Sequence, residues 1–593
     1  MKKICTISEF SGPDGRLGRS QAVSADIIPQ NLPAGKPDLP LHLETKYSML
    51  NLNEDEKDAN DLLKIENLKL APCDAPSRLT ALAAKAVRIP ETDIRSLEIL
   101  RRSVDARDGV WLVYTVAVDV PNEAAVLRRC RNDKVTRYEP PAPYAAPAAR
   151  PAPELPPVVV GAGPAGLFCT LVLAMAGLRP ILLERGRPVE QRSRDVENFW
   201  RTGVLDPASN VQFGEGGAGA FSDGKLNTGT KDPRHRFILE QLAACGNAED
   251  ILIDAKPHVG TDRLHTALKA LRTKLQALGA DIRFESRLAD LQTADGEITG
   301  ITVDSPDGAY TLPCRQVVLA LGHSARDTFE MLHGRGVPME AKPFAVGVRI
   351  EHRQSDMDCA QYRRWAGHPG LPASTYKLSC HLPEGRAAYS FCVCPGGTVV
   401  AAASEEQRLV TNGMSEYARD GENINGGLLV NVTPEDFGGD KHPLAGITFQ
   451  RRLEEAAFAL GGNNFHAPCQ RVGDFLAHRA SVRCGRVKPS YRPGVTYTTL
   501  RHCLPDFICD TLEGVLPILG KKLMGYADPD ALLTAVETRS SSPVRLPRDE
   551  TYQSALRGLY PCGEGAGYAG GILSAAADGM RCAESVCRAF PVN

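Results

Sequence analysis

The sequence has little of the features that mark several specialised protein classes. Aromatic residues make up only 6% of its 593 residues, and 69 Lys plus Arg nearly balance 71 Asp plus Glu, which leaves a formal charge of -2. This balance argues against a strong global field for nucleic acid or anionic lipid. We therefore expect a globular chain of roughly three or four domain-sized units with no stable nucleic-acid partner.

A membrane-spanning run and an export signal are also missing. The longest apolar run, residues 167–178, contains Thr170 and is shorter than the roughly 18 residues that a membrane span needs. The 17 cysteines have no repeating spacing, which favours free thiols in a reducing compartment over a disulfide framework. We expect a cytoplasmic protein without a membrane partner; the composition leaves the oligomeric state open.

The N-terminal part of the chain divides by composition. Residues 1–61 have little periodic apolar content, and we expect a poorly ordered extension there. Residues 62–140 form a β-α-β-β-α-β pattern, which predicts a small ferredoxin-like α+β module. Its predicted strands are 63–70, 93–101, 110–120 and a short one at Val135, and its predicted helices are 78–87 and 123–130. The Pro- and Ala-rich residues 141–156 predict an extended linker.

A glycine motif follows the linker. The β-branched run 157–160 leads into Gly161-Ala162-Gly163-Pro164-Ala165-Gly166 and then into a helical run. Gly161 permits the tight turn, Gly163 lets a pyrophosphate approach the backbone, and Gly166 lets helix and strand pack closely. Pro164 and Ala165 begin the helix, whose N-terminal amides favour a diphosphate. The pattern predicts a dinucleotide site.

An acidic residue supports this interpretation. Glu184 ends the next predicted strand and is followed by Arg185. Glu184 lies 18 residues after Gly166, close to the ~20 residues expected for the carboxylate that binds an adenosine ribose. A glycine-rich turn with a surface Glu is the simpler alternative, and we regard it as the weaker one because strand, glycines, helix and acid occur together.

Three further glycine-rich segments favour FAD over NAD. Gly563 and Glu564 end a strand near the C-terminus and suit contacts to a ribityl chain, and the amides near Gly571 and Ile572 suit the carbonyl edge of a flavin ring. A tightly packed turn is the alternative. The strand 317–321 ends at Gly322, and the segment 211–225, with Gly216 and Gly217, suits a loop around a flat ligand, although a flexible surface loop would look similar.

From about residue 62 onward the chain resembles the uncharacterised bacterial FAD-dependent dehydrogenases, within the glutathione-reductase-like flavoproteins. The resemblance is carried by the strings NVQFGEGGAGAFSDGKLN at 210–227, GHSARDTFEML at 322–332, FCVCPGGTVVAAAS at 391–404, TNGM at 411–414, and residues 561–575. It implies FAD at the Gly161 motif and Glu184, a backbone contact from Leu288 to adenine, and ribityl contacts from Gly563 and Glu564. It transfers no substrate.

The expected fold class is α/β, with a Rossmann-like FAD-binding domain formed by residues 157–341 and 540–593. Residues 342–539 are expected to form an inserted α+β substrate or cap domain. The expected function is two-electron (hydride) transfer through bound FAD on an unidentified small-molecule substrate. Because a second strand-GxGxxG-helix unit is missing, NADH or NADPH is expected only as a transient reductant.

The catalytic residues are not identified by the sequence. His323 is a candidate proton donor, and Lys225 and Arg349 are candidates for stabilising an anionic ring or substrate; a structural histidine and solvated surface cations are the alternatives. Cys392 and Cys394 would share a face of a regular strand, as a thiol pair, a soft-metal half-site or core, and we favour core. No metal site is expected.

A function of another class stays open. The protein could be a flavin-binding interaction or RNA-associated protein in which FAD is structural or sensory. Arg101, Arg102 and Arg107 lie near a predicted hairpin and could contact phosphate, but no aromatic pair of the RNA-stacking kind accompanies them. A solvated turn is the interpretation we favour.

Overall fold

The computed structural model describes residues 62–246, 248–439 and 441–591. The predicted extension, residues 1–61, lies outside this part of the chain. The first described region is a four-stranded antiparallel sheet in the order β2-β3-β1-β4 with two helices. Its elements are β1 Leu62–Leu70, α1 Arg78–Val87, β2 Ser96–Asp105, β3 Trp111–Asp119, α2 Glu123–Cys130 and β4 Val135–Arg137. The second strand begins later than predicted, because Glu91–Asp93 forms a 3-10 turn after Pro90.

Two of the three arginines near the first hairpin, Arg102 and Arg107, are paired with carboxylates. Arg102 Nε donates to Asp254 at 2.8 Å, and Arg107 Nε donates to Asp105 at 2.9 Å. These contacts engage both guanidinium groups within the protein. Residues 141–156 contain neither helix nor strand, but they are held in place, since Tyr144 donates to Glu584 at 2.9 Å.

The second described region is a five-stranded parallel sheet in the order β23-β11-β5-β6-β7. Helices cover both faces of such a sheet, which explains why its strands are continuous apolar runs; Val158, Val159 and Val160 are all buried. The elements from 158 to 334 are β5 Val158–Val160, α3 Pro164–Met175, β6 Ile181–Leu183, α4 Val189–Thr202, α5 Arg234–Gly246, α6 Gly260–Ala277, β7 Asp281–Arg283, β8 Arg287–Ala294, β9 Glu297–Ser305, β10 Gly308–Pro313, β11 Val317–Leu319 and α7 Arg326–Gly334.

A seven-stranded sheet in the order β14-β15-β18-β13-β21-β19-β20 follows, antiparallel except for its last pair. Its central strand, β13, is buried along almost its whole length. The elements from 340 to 537 are β12 Glu340–Ala341, β13 Phe344–Arg353, α8 Gln354–Tyr362, β14 Ser379–His381, β15 Ala387–Cys394, β16 Thr398–Ala401, β17 Thr411–Met414, β18 Asn423–Val432, α9 Pro434–Phe437, α10 Ala445–Gly461, β19 Ala467–Arg471, α11 Val472–Leu476, β20 Val495–Tyr497, α12 Asp506–Lys522 and β21 Leu532–Glu537.

The chain then returns to the parallel sheet. The last elements are β22 Val544–Arg545, β23 Leu559–Pro561 and α13 Ile572–Arg588. Helix α13 packs closely on α3, since a Cβ on Gly579 would lie 2.0 Å from the Ala165 carbonyl oxygen. Among the helices of the described residues, none combines the length and apolar character that crossing a bilayer requires.

Candidate functional site

The carboxyl ends of β6, β5, β11 and β23 lie side by side and border a central cavity that encloses about 1610 Å³ of space, its open mouth included. The carboxyl edge of a parallel sheet is where open α/β folds bind ligands. We call this side the parallel wall; its lining includes Gly161, Gly163, Glu184, Gly322 and Glu564. The opposite side, the antiparallel wall, includes Phe391, Cys392, Thr411, Asn412, Glu537 and Arg539.

Most of the residues predicted to bind the cofactor line this cavity. They are Gly161, Gly163, Pro164, Ala165, Glu184, Arg185, Gly217, Leu288, Gly322, Glu564, Gly571 and Ile572. Three others do not, because they pack behind it. A Cβ added to Gly166 would lie 1.8 Å from the Gly161 carbonyl oxygen, and one added to Gly216 would lie 2.4 Å from Leu268. A Cβ added to Gly563 would lie 2.9 Å from the Ala165 Cβ. These glycines are needed for the close approach of protein to protein.

The glycine turn separates packing from ligand space. Gly161 has φ +105°, and a Cβ there would lie 2.4 Å from the Ala320 carbonyl oxygen. Gly163 caps the N-terminus of α3, and a Cβ there would meet nothing closer than Gly217 Cα at 3.9 Å. The protein therefore leaves open the space in front of Gly163, beside the amides that attract a diphosphate.

Glu184 is buried and holds the surrounding loops. Its carboxylate accepts hydrogen bonds from the backbone N–H groups of Ala162 at 2.7 Å, Gly186 at 2.9 Å and Gly214 at 2.9 Å. This structural role was not predicted from the sequence. The carboxylate still borders the cavity, so the predicted contact with a ribose stays a prediction.

Two of the catalytic candidates border the cavity. His323 Nδ1 lies 3.3 Å from Oε1 of Glu564. Lys225 forms an ion pair of 2.8 Å with Asp223 and donates to the Val393 carbonyl oxygen. Burial alone would lower the pKa of Lys225, but the adjacent Asp223 raises it above its usual value, so the ammonium stays charged. It is not a solvated surface cation.

The third candidate, Arg349, does not border the cavity and is fully buried. Its guanidinium donates to Glu537 at 3.1 Å, to the Cys392 carbonyl oxygen at 2.9 Å, and to Asn425. A Cβ on Gly413 would overlap this guanidinium, which explains the glycine in the TNGM string. The expectation that Arg349 contacts a ring or substrate is therefore corrected, because its donors serve the protein interior.

Glu537 is a titratable group that the sequence analysis missed. It ends β21, is buried, and borders the cavity. Burial raises its pKa to about 7, although the neighbouring Arg349 lowers it. A carboxyl that titrates near neutral pH suits proton transfer. No local motif surrounds it; only the pairing of β21 with β13 places it beside Arg349.

Cys392 and Cys394 depart from the predicted regular strand. The register of β15 with β18 shifts between Phe391 and Cys394, and Cys392 has φ +39°. Cys392 is partly exposed and borders the cavity, whereas Cys394 is buried. The interpretation of Cys392 as simple core is therefore wrong, because this irregularity places it at the antiparallel wall.

The donors of the parallel wall fit a dinucleotide. An open space in front of Gly163, the α3 N-terminus, and polar groups distributed along an extended cleft match the chemistry of adenosine diphosphate and a flavin.

Comparison with known families agrees. Residues 154–327 match the family described as FAD binding domain, residues 343–540 match FAD-dependent protein, C-terminal domain-like, and residues 63–120 match a domain of unknown function. FAD is thus the cofactor of this protein.

Among solved structures, the chain is similar to glycine oxidase from Bacillus cereus ATCC 14579, with 12% identity, 74% of this chain and 96% of that chain covered, and a TM-score of 0.31. It is also similar to glycerol-3-phosphate dehydrogenase from Bacillus halodurans, complexed with FAD, with 12% identity, 74% and 66% coverage, and a TM-score of 0.33. Since both TM-scores are below 0.5, we transfer no activity from them.

A full-length relative gives the family. An uncharacterized protein of Clostridium beijerinckii (strain ATCC 51743 / NCIMB 8052) is 45% identical over 532 residues, which covers 89% of this chain and 99% of that protein. The chain therefore belongs, with this relative, to a family of FAD-dependent proteins in which an FAD-binding domain precedes an FAD-dependent C-terminal domain.

Proposed function

We propose that the protein is an FAD-dependent oxidoreductase, of the dehydrogenase type, that transfers an electron pair between a small-molecule substrate and an acceptor. The observation that carries the proposal is the composition of the central cavity, with a dinucleotide-binding turn in one wall and titratable side chains in the other. Bound FAD supplies two-electron redox chemistry. The protein supplies position, charge and proton transfer.

The parallel wall holds the cofactor in this proposal. The backbone at Gly163 and the N-terminal amides of α3 receive the diphosphate. Glu184 and Leu288 border the part of the cavity that suits adenosine, and Glu564 and the amides near Ile572 border the part that suits the ribityl chain and the ring. Removing the open space at Gly163 or the Glu564 contact therefore predicts loss of FAD without loss of folding, whereas removing Glu184 would also affect the loops that it holds.

The antiparallel wall receives the substrate. Residues 342–539 act as the substrate domain, and the carboxylate of Glu537 takes or returns the substrate proton. Arg349 is a positioning residue, since its guanidinium holds Glu537 and the backbone at Cys392. His323, beside Glu564, is a second group that can hold a proton at its ring nitrogen.

The remaining parts of the proposal concern partners and ancestry. NADH or NADPH binds only transiently, at the open part of the cavity, because the sequence has a single strand-GxGxxG-helix unit. We interpret residues 62–140 as a ferredoxin-like module and the chain as a cytoplasmic relative of the glutathione-reductase-like flavoproteins.

The decisive experiment is anaerobic mixing of the purified holoprotein with NADH, NADPH and a panel of metabolites. We expect a yellow protein that releases FAD and not FMN on denaturation, and at least one donor that bleaches the flavin. If no donor reduces the flavin and the protein instead retains nucleic acid in a salt-sensitive way, the oxidoreductase proposal is wrong and an RNA-associated role replaces it.

A further inference from the structure

The antiparallel wall carries a pair of thiols that the proposed reaction does not use. Cys392 borders the cavity, and Cys394 lies behind it. The Cys394 thiol also donates to the Cys392 carbonyl oxygen at 3.3 Å. The irregular register between Phe391 and Cys394, with φ +39° at Cys392, breaks the regular alternation of the strand, and the Cys394 side chain also hydrogen-bonds to that of Cys392.

Two cations, the partly buried Lys225 and the fully buried Arg349, converge on this segment. Lys225 donates to the carbonyl oxygen of Val393, the residue between the two cysteines. Arg349 donates to the Cys392 carbonyl oxygen at 2.9 Å and lies 3.6 Å from the Cys394 sulfur. Each cation is held by a carboxylate, Asp223 for Lys225 and Glu537 for Arg349. Two cations, each paired with a carboxylate, thus lie beside the segment that carries Cys392 and Cys394.

This arrangement favours a thiolate at Cys392 and a thiol at Cys394. The hydrogen bond from Cys394 lowers the pKa of Cys392, and Lys225 and Arg349 lower it further, against the effect of burial and of Asp223. The same hydrogen bond and burial raise the pKa of Cys394 well above its usual value. A thiolate beside a thiol is the product that two-electron reduction of a disulfide would leave.

We propose that Cys392 and Cys394 form a redox-active pair that exchanges two electrons with the flavin across the central cavity. The proposal deepens the proposed function, on which it rests. The Cys392–Cys394 disulfide accepts two electrons and one proton from reduced flavin, and its sulfur–sulfur bond breaks. Cys392 leaves as the thiolate, Cys394 takes the proton, and the flavin returns to its oxidised form. Lys225 and Arg349 stabilise the charge that appears on Cys392.

The position of the pair distinguishes it from ordinary core cysteines. Cys503 and Cys509 are also buried thiols, but neither lines the cavity. Burial raises the pKa of each to about 12. Although Arg501 lowers the pKa of Cys509, the effect of burial exceeds it. Cys509→Ser is therefore a matched control for loss of one buried thiol.

The test is an anaerobic dithionite titration of air-oxidised holoprotein, followed by the visible absorbance of the flavin. Wild type and Cys509→Ser should consume two more electrons per flavin than Cys392→Ser or Cys394→Ser before reduction is complete. Dithionite reduces flavins without a specific donor site, so this count does not depend on finding the substrate. Equal electron counts in all four proteins would overturn the proposal while leaving the oxidoreductase function intact.

A second measurement reads the thiols directly and needs no turnover. Cleavage after Arg386 and Arg408 releases Cys392 and Cys394 in one peptide that contains no other cysteine. After oxidation this peptide should resist alkylation and have lost two hydrogens, and after reduction of the holoprotein it should take two alkyl groups. A peptide that is fully alkylated in the oxidised holoprotein contradicts the redox pair, even where Cys392 alone proves reactive.

Discussion

The two walls of the central cavity each contribute one cysteine with a second thiol beside it, and the surroundings of the two pairs differ. In the antiparallel wall, the hydrogen bond from Cys394 and the nearby cations Lys225 and Arg349 lower the pKa of Cys392. In the parallel wall, the hydrogen bond with Cys582 and burial raise the pKa of Cys562 well above its usual value. Two similar thiol pairs on one cavity are thus expected to differ in reactivity.

The pKa values of Cys392 and Cys562 differ because the charged side chains near them have different partners. Asp578 lies beside Cys562 and Cys582, and among the described residues these three could hold a metal ion. However, Asp578 accepts from both terminal nitrogens of Arg548, at 2.6 and 2.9 Å, and from the Gly563 N–H at 2.8 Å. Arg548 also lies 3.6 Å from the Cys582 sulfur, but it is one cation shared with the Asp578 carboxylate, whereas two cations, Lys225 and Arg349, lower the pKa of Cys392. From this difference we expect the parallel wall to bind the cofactor and the antiparallel wall to carry the reactive side chains.

The largest effect should come from the parallel wall. Gly163→Val places a side chain in the open space before α3, so FAD affinity should fall by at least about hundredfold, or about 2.8 kcal/mol, while the protein stays folded. Flavin retained after gel filtration and the circular dichroism spectrum measure the two effects. Gly229→Val, at an exposed glycine with open space around it, is the control. Full flavin content in Gly163→Val would remove this residue from the binding site.

In the antiparallel wall, Arg349→Gln should cost about 3–5 kcal/mol of unfolding free energy, because Glu537 loses its buried partner. Urea denaturation measures the loss. In the protein that remains folded, the flavin content should stay near that of wild type, since Arg349 does not border the cavity. A variant that is as stable as wild type but lacks flavin would instead assign Arg349 a role in FAD binding.

Glu537→Gln should slow flavin reduction by the substrate by about hundredfold or more, since general acid-base catalysis typically contributes about 10²- to 10⁴-fold. The wild-type rate should depend on an ionisation near pH 7, and the variant should lack it. Flavin content should not change. A pH profile that keeps this ionisation in the variant would assign the proton transfer to another group, with His323 as the next to test.

The same carboxyl affects stability with a defined sign. Its folded pKa lies above the unfolded value, so its contribution to the unfolding free energy is present below the unfolded pKa and is lost as the pH rises through about 7. We expect this part of the pH dependence to disappear in Glu537→Gln. Thermal unfolding of both proteins between pH 5 and 8 checks it.

Alkylation should sharpen the comparison of the two thiol pairs. At pH 6, in fully reduced protein stripped of flavin, the Cys392 peptide should react with iodoacetamide at least about tenfold faster than the Cys562 peptide, because only Cys392 is held as a thiolate. Cys394→Ala removes the hydrogen bond to Cys392 and should reduce the difference. Equal rates would remove the electrostatic distinction between the walls.

The smallest effect concerns the choice of nicotinamide. Glu184→Gln should leave the preference between NADH and NADPH unchanged, because we propose that FAD and not NAD(P) occupies the site beside Glu184. Stopped-flow reduction of wild type and of the variant, both reconstituted with FAD, measures the preference. A reversed preference would show that the unit from Gly161 to Glu184 binds the nicotinamide cofactor.

The parallel wall could be anticipated because its function depends on backbone geometry. Gly161, Gly163 and Gly166 occur within one turn, and the strand before and the helix after are contiguous with them. Gly216 and Gly563 were predicted to bind the cofactor but pack against protein behind the cavity, since spacing in the chain does not distinguish contact with protein from contact with a ligand.

The antiparallel wall could not be anticipated in the same way. Arg349, Asn425 and Glu537 lie on three strands that are far apart in the chain and meet only through the pairing of β13 with β18 and β21. The regular alternation assumed for Cys392 and Cys394 fails at an irregularity that has no local sequence signal.

The sequence by itself determined the α/β alternation, the dinucleotide turn and the cofactor, since short-range spacing sets strand, turn and helix. Only the tertiary structure decided which titratable groups reach the cofactor cavity and in which protonation state. The reason is that burial and the approach of charges such as Lys225 and Arg349 set the pKa values of Cys392 and Glu537. Those distances arise from strand pairing across nearly two hundred residues, from Arg349 to Glu537.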